Sequence, residues 1–342
     1  MVLTAPQPDL NLHRSEFSQD ILDFFQERRA GHLSKWLYSV AQFTGDPVNG
    51  TSAWAHVVVE AKQGSPYYPF RDERSVIQYA AEKVAGYFPP STRLIDLGPG
   101  SEDALKNKVF PILKAANHNI SEYVAVDVST ESLDMAMENV SSCFPNLGIK
   151  SSHHDFILDN FTYGFGPLCE ASVFFGLTLF NLPIDPRVKN LPERLLISQI
   201  QRIASHMTAD KKYLLVTQDT NQNLDTLHKA YMAISPYYRP LLYRIVRDLN
   251  VQGDFDPRAF TLDVDFFEET KACSVCFVAQ KDMRFSIDGQ NQIVRKNQRL
   301  YFHNAFKFSP DTFKNCAQQA GFDVIDTIVQ DRNPCILHIL AC

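Results

Sequence analysis

The sequence has no long run of basic residues, no internal repeat, no low-complexity segment and no apolar stretch long enough to cross a bilayer. Each absence removes a class of protein. With a net charge of −6 and no basic run, nucleic acid is not an expected partner. A bilayer needs about 18 consecutive apolar residues, so no membrane association is expected. The opening residues, MVLTAPQPDLNLHRSEF, lack the apolar core of a secretory leader and point to the cytoplasm. The seven cysteines are scattered, and Cys273 and Cys276 have metal-ligand spacing with no second pair or histidine cluster to complete a site. They also sit in a strand-like run, 272–279, where alternation places them on opposite faces. Free buried thiols in a reducing compartment, and no metal, are therefore expected. What remains is an ordinary globular composition, 45% hydrophobic and 21% charged. Its 342 residues suffice for one large domain or a domain with a sizeable insert.

The chain is organised around Arg93 to Asp127. Leu94, Ile95 and Leu97 read as a buried strand, and Gly98-Pro99-Gly100 turns the chain. Ser101, Glu102 and Asp103 then supply a cap and first-turn acids for a helix. A second apolar run, Tyr123 to Val126, ends in Asp127. In open α/β sheets ligands bind at the carboxyl ends of strands, and an acid there can hold both hydroxyls of a ribose. A dinucleotide fingerprint wants a third small residue where Asp103 stands, and acids in that turn repel a pyrophosphate. They do not repel S-adenosylmethionine, whose sulfonium is a cation. The methyl donor is the favoured ligand; a dinucleotide and a merely structural glycine turn are the alternatives.

Along the chain, residues 1–14 read as a loose tail and Ser15 to Arg29 as an amphipathic helix. A turn or short helix at 33–38, a loop at 42–52 and a helix from Asp72 to Tyr87 precede the sheet. Helix 129–143, strands near 149–152 and 171–176, helix 192–207 and strand 212–218 alternate as in a doubly wound parallel sheet. Residues 219–268 read as mostly helical. Strands at 272–280 and 299–308 lack a crossover helix and are expected to pair antiparallel; another strand lies at 334–341. The expected fold is α/β and Rossmann-like, a doubly wound parallel sheet with an added substrate-binding domain. Its parts are an N-terminal helical segment (1–70), a Rossmann-like domain (71–218), a substrate-binding region (219–310) and a C-terminal helix and strand (311–342).

Several motifs, taken in order, resemble one family. They are Tyr67-Tyr68-Pro69, Asp96-Leu-Gly98-Pro-Gly100, Asp127-Val-Ser129, Asp155-Phe156, Phe175-Gly-Leu-Thr-Leu-Phe-Asn-Leu-Pro183, Ala230-Tyr231 and Lys307-Phe-Ser-Pro310. From about Leu33 to the end, the chain resembles the histidine-specific S-adenosylmethionine-dependent methyltransferases, which include the ergothioneine-pathway histidine Nα-methyltransferase and relatives acting on tryptophan-derived amines. The resemblance implies a class I methyltransferase fold. It also implies that Gly98, Gly100, Lys106, Asp127, Asp155 and Phe156 hold the methyl donor. On the acceptor side it implies Tyr38, Tyr67, Gly176, Asn181 and Tyr231, with Tyr38, Asn181 and Tyr231 as the catalytic set. Lys106 lies in a loop two residues longer than the family pattern, and the alternative for Asp155 taken alone is an ordinary helix cap. The tyrosines taken singly read as packed core or rim residues.

Near its end the chain departs from the histidine enzymes. Where they carry a Glu and a Ser that read the imidazole, this chain has His303 and Ala305. A histidine cannot stand in for a carboxylate that accepts from an imidazole N–H, and a site missing such a partner discriminates strongly. The expectation is an N-methyltransferase, monomeric, acting on an amino acid or small amine other than histidine, with tryptophan or another aromatic favoured. The 42–64 segment, with Trp54, could reshape its pocket. Side-chain (guanidine) methylation, an NAD-linked oxidoreductase and a non-catalytic donor-binding module are the competing readings.

Overall fold

The computed structural model describes residues 10–27, 33, 35–38, 57, 60–61, 63–164, 166 and 168–342. Trp54 and most of the 42–64 segment lie outside the described residues, as does the side chain of Tyr38. Its strands are β1 (Thr92–Leu97), β2 (Ile120–Asp127), β3 (Gly148–His153), β4 (Cys169–Phe174), β5 (Lys211–Asp219) and β6 (Val251–Gly253). After them come β7 (Phe260–Phe267), β8 (Ala272–Ala279), β9 (Met283–Ile287), β10 (Gln290–Val294), β11 (Arg299–Phe306), β12 (Asp323–Ile328) and β13 (Cys335–Ala341).

Seven of them form one sheet in the order β12-β13-β5-β4-β1-β2-β3. β1 pairs in parallel with β2 on one side and β4 on the other, while β13 runs antiparallel to β5. The strand order therefore reverses between β1 and β4, and a crevice opens beyond their carboxyl ends. Both β1 and β4 are buried at every residue, which requires helices on both faces. Helices Tyr68–Ala85 and Thr130–Cys143 pack on the face bearing Leu94, Tyr123 and Leu215. Helices Leu191–His206 and Pro310–Gln319 cover the opposite face, with Ile95, Val124 and Leu214.

Two three-stranded sheets, β10-β9-β6 and β11-β8-β7, stand apart from the main one. A third apolar core joins them to helix Leu10–Phe25 and to helices Leu224–Ala233 and Pro240–Asp248. As expected, β8 and β11 pair antiparallel. Cys273 and Cys276 are free and buried, and burial raises both thiols to about 12.

Three local expectations change. The first helix begins at Leu10 rather than Ser15, where Arg14 donates to the Asp248 carbonyl and pairs with Asp288. The second begins at Tyr68, because Pro69 fits a helix's first turn, where an N–H would be unpaired anyway. The helical pattern after 219 stops at Asp248, and Phe260–Phe267 is a strand. There Leu262, Val264 and Phe266 pack inward while Asp263 and Asp265 both bind Arg299, a period of two.

Candidate active site

The glycine turn leaves β1 with Gly98 at φ 78° and Gly100 at φ 70°, conformations that a side chain disfavours. The Gly98 N–H donates to the Val126 carbonyl, which ties the turn to β2. A β-carbon on Gly98 would stand 3.8 Å from the Phe156 ring, so that ring lies over the turn. Ser101 caps the next helix by accepting from the Ala104 N–H.

Asp127 ends β2 and sits partly buried beside the turn, its carboxylate accepting from the Ser129 N–H. Burial, opposed by backbone hydrogen bonds and aided by the nearby Asp155 charge, raises it to about 6. Its neighbour Asp96 accepts from the Tyr123 hydroxyl and is raised by burial to about 7. Asp155 accepts from the Ile157 and Leu158 N–H groups and so caps its own turn. A ribose held by this carboxylate would need its ionised form. Affinity for S-adenosylhomocysteine is therefore expected to be flat above pH 7 and to weaken about tenfold per unit below about pH 6. Calorimetric titrations across pH check this; affinity that stays flat down to pH 5 would contradict it.

Lys106 lies at the surface, paired with Glu102 one turn back. Leu105–Val109 form a π-helical turn, and the added residue rotates Lys108 inward instead. Lys108 pairs with Glu73, both nearly fully buried. Glu73 also accepts from the Gly176 N–H at 2.5 Å and from the Thr217 hydroxyl. One carboxylate thus joins a helix of one face to the ends of β4 and β5. Gly176 (φ 86°) and Leu177 (φ 61°) turn the chain left-handed after β4. Asn181 follows a single 3₁₀ turn, partly buried, and its side-chain amide bonds to no described residue. The strand-capping loop is anchored from above, where Asn304 on β11 donates to the Leu182 and Ile184 carbonyls.

Over the end of β5 lies a second buried pair. Lys307, just past β11, donates to Asp219 at 2.6 Å and to the Tyr231 hydroxyl at 3.1 Å. Asp219 accepts in addition from the Tyr68 hydroxyl at 2.7 Å. Burial lowers the Lys307 ammonium, but the Asp219 charge and hydrogen bond, together with the nearby Cys273 and Tyr67, outweigh it and the net direction is up. Tyr231 meets Tyr67 edge-on at 6.3 Å and lies 6.3 Å from the His303 ring, which in turn lies 5.4 Å from Tyr238. Ala305 is buried next along β11, opposite Cys273.

The fold thus gathers Gly98, Gly100, Asp127 and Phe156 at one place, with Asp155 close enough to raise Asp127. It gathers Tyr67, Tyr231 and His303 at another, while Lys106 pairs with Glu102 at the surface. Sequence reasoning missed Glu73, Lys108, Asp219 and Asn304, because a charged or polar residue on a helix or strand reads by default as surface. Among the described residues no group of three or more His, Cys, Asp or Glu could hold a metal ion. No described helix is long and apolar enough to cross a membrane.

A parallel sheet with one reversed strand, a glycine turn after β1 and an acid at the tip of β2 define a Rossmann-like S-adenosylmethionine-dependent methyltransferase. The chain belongs to the histidine-specific, S-adenosylmethionine-dependent methyltransferase family, whose description matches residues 17–342. A relative, the uncharacterized protein y4iF of Sinorhizobium fredii, is 27% identical over 253 residues, covering 72% of this chain and 79% of its own. Among solved structures, a S-adenosylmethionine-dependent methyltransferase from Clostridium acetobutylicum is similar with TM-score 0.41 and 12% identity, covering 85% of this chain and 98% of its own. The magnesium protoporphyrin IX methyltransferase of Synechocystis, solved with bound SAH, gives TM-score 0.39 and 12% identity, over 79% and 84% of the two chains.

Proposed function

We propose that this methyltransferase methylates the amine nitrogen of an amino acid or small amine other than histidine, with an aromatic acceptor favoured. The observation that carries the reading is His303, buried between Tyr231 and Tyr238 with Ala305 beyond it, at the positions where the family's histidine enzymes carry Glu and Ser. Those rings offer aromatic contact, and the position of the family's imidazole-reading Glu is held by a histidine.

On the donor side, Asp127 would hold the ribose hydroxyls, Gly98 and Gly100 would let the backbone approach, and Phe156 would cover the adenine. The positive φ of both glycines and the ring over Gly98 support that fit. When bound, the donor supplies a methyl group on a cationic sulfur. The protein's own share is positioning, which can supply much of such a rate. Burial, then the nearby Cys273 and Asp219, push the Tyr231 hydroxyl well above its ordinary range. It is therefore a neutral hydrogen-bonding group rather than a base. The Asn181 amide, without a partner among the described residues, and the Gly176 peptide would hold the acceptor's amine so that its lone pair faces the methyl group. Aromatic rings at Tyr67 and Tyr231 tolerate the cation that forms.

The test is a mass-spectrometric screen of the standard amino acids and their decarboxylated amines with S-adenosylmethionine. Methylation of an aromatic member is expected; methylation of histidine alone, or of none, would refute the reading. For the acceptor so found, Asn181→Ala is expected to raise KM by about tenfold, the worth of one hydrogen bond, while donor affinity changes little. Steady-state kinetics in both substrates checks this, and equal effects on the two would make Asn181 structural.

A further inference from the structure

We infer that Lys307 is a positioning residue that fixes Tyr231 as a hydrogen-bond donor to the acceptor's carboxylate, so that the enzyme selects amino acids over their decarboxylated amines. The inference rests on the amino-acid reading above and adds what decides the polarity of its site.

A phenol hydroxyl can donate once and accept, and a neighbour that only donates removes the ambiguity. Lys307 Nζ has no lone pair to offer when charged, and it donates to the Tyr231 oxygen at 3.1 Å. The Tyr231 proton must therefore point elsewhere. Asp219, the carboxylate paired with Lys307, takes its hydrogen bonds from Lys307, from the Tyr68 hydroxyl and from the Asn221 N–H. No described residue accepts from Tyr231, although its side chain is only 4% exposed. A buried donor left unspent is costly, and one at a site implies a ligand acceptor. Asp219 holds Lys307 in place from the sheet, and both are nearly fully buried, so the ammonium cannot swing away. The same ammonium lies 5.3 Å from the centre of the Tyr231 ring, which places positive charge behind the hydroxyl. A carboxylate in front of that hydroxyl gains from both; an amine lacking the carboxylate gains from neither.

The experiment compares kcat/KM for the best amino acid of the screen with that for its decarboxylated amine. It does so in the wild type, Lys307→Met, Asp219→Asn and the double variant. Calorimetry with S-adenosylhomocysteine and thermal unfolding are run on each. The wild type is expected to favour the amino acid. Asp219→Asn, which keeps Nζ donating to Tyr231, is expected to retain the preference whatever its loss of stability. Lys307→Met is expected to lower it by about tenfold, the worth of one oriented hydrogen bond, with donor affinity unchanged. The double variant leaves no lone buried charge, so it reports the same loss if Lys307→Met alone folds poorly. A preference that survives in the variants lacking Lys307, both substrates falling together, would show a structural lysine and overturn the inference. So would a wild type that prefers the amine. A wild type that methylates neither substrate overturns the proposed function itself, and this inference with it.

Discussion

Replacing Asp127 with alanine is expected to remove binding of S-adenosylhomocysteine while leaving the fold in place. The effect is large because a carboxylate that takes both ribose hydroxyls makes two charge-assisted hydrogen bonds. At about 1.5–3 kcal/mol each, their loss weakens the complex by roughly 10²- to 10⁴-fold. The fold survives because Asp127 contributes little to it. Its carboxylate accepts from the Ser129 N–H next to it, and burial raises it from 3.8 to about 6. A raised carboxyl holds its proton more tightly in the folded state. Its contribution to stability is present below about pH 4 and is lost as pH rises through about 6. At neutral pH the ionised group is a burden to the fold, and a carboxylate kept in that condition beside a crevice is a mark of ligand binding. Isothermal titration with circular dichroism checks both halves. Unchanged affinity in a folded Asp127→Ala protein would remove the ribose assignment.

Glu73→Ala is expected to cost about 3–5 kcal/mol of stability, because it leaves the Lys108 ammonium buried without its counter-charge. The same substitution orphans the Gly176 N–H and the Thr217 hydroxyl. Glu73→Gln keeps an oxygen for one of these donors and is expected to lose less. Urea unfolding of the three proteins orders them wild type, Gln, Ala. A midpoint for the alanine variant equal to that of wild type would mean that Lys108 finds another partner or reaches water. Near the melting range the alanine variant is also expected to lose acceptor turnover before donor binding. Gly176 turns with φ 86° just where Glu73 grips it, whereas Asp127 stands on the far side of β1.

The proposed donor half is legible because it is local. A strand, a Gly-x-Gly turn, a capped helix and a second strand ending in an acid occupy 35 consecutive residues, and each piece announces itself by composition and period. The alternation of Leu262, Val264 and Phe266 with Asp263 and Asp265 was also present in the sequence. It yields to a helical reading only when the tyrosine-rich helices before it are extended too far. Lys106 and Lys108 could not be told apart by any local rule. Two residues apart on a helix, they face opposite ways, and the π turn at Leu105–Val109 decides which one points inward.

By itself, then, the sequence determined the doubly wound sheet and the cradle beyond β1 and β2, since hydrophobic period and turn chemistry are properties of neighbouring residues. The tertiary structure alone decided the proposed acceptor half. Asp219 meets Tyr68 across 151 positions and Lys307 across 88, and Glu73 meets Gly176 across 103. A buried charge is tolerated only where its partner is brought to it, and no stretch of sequence records that the partner will arrive.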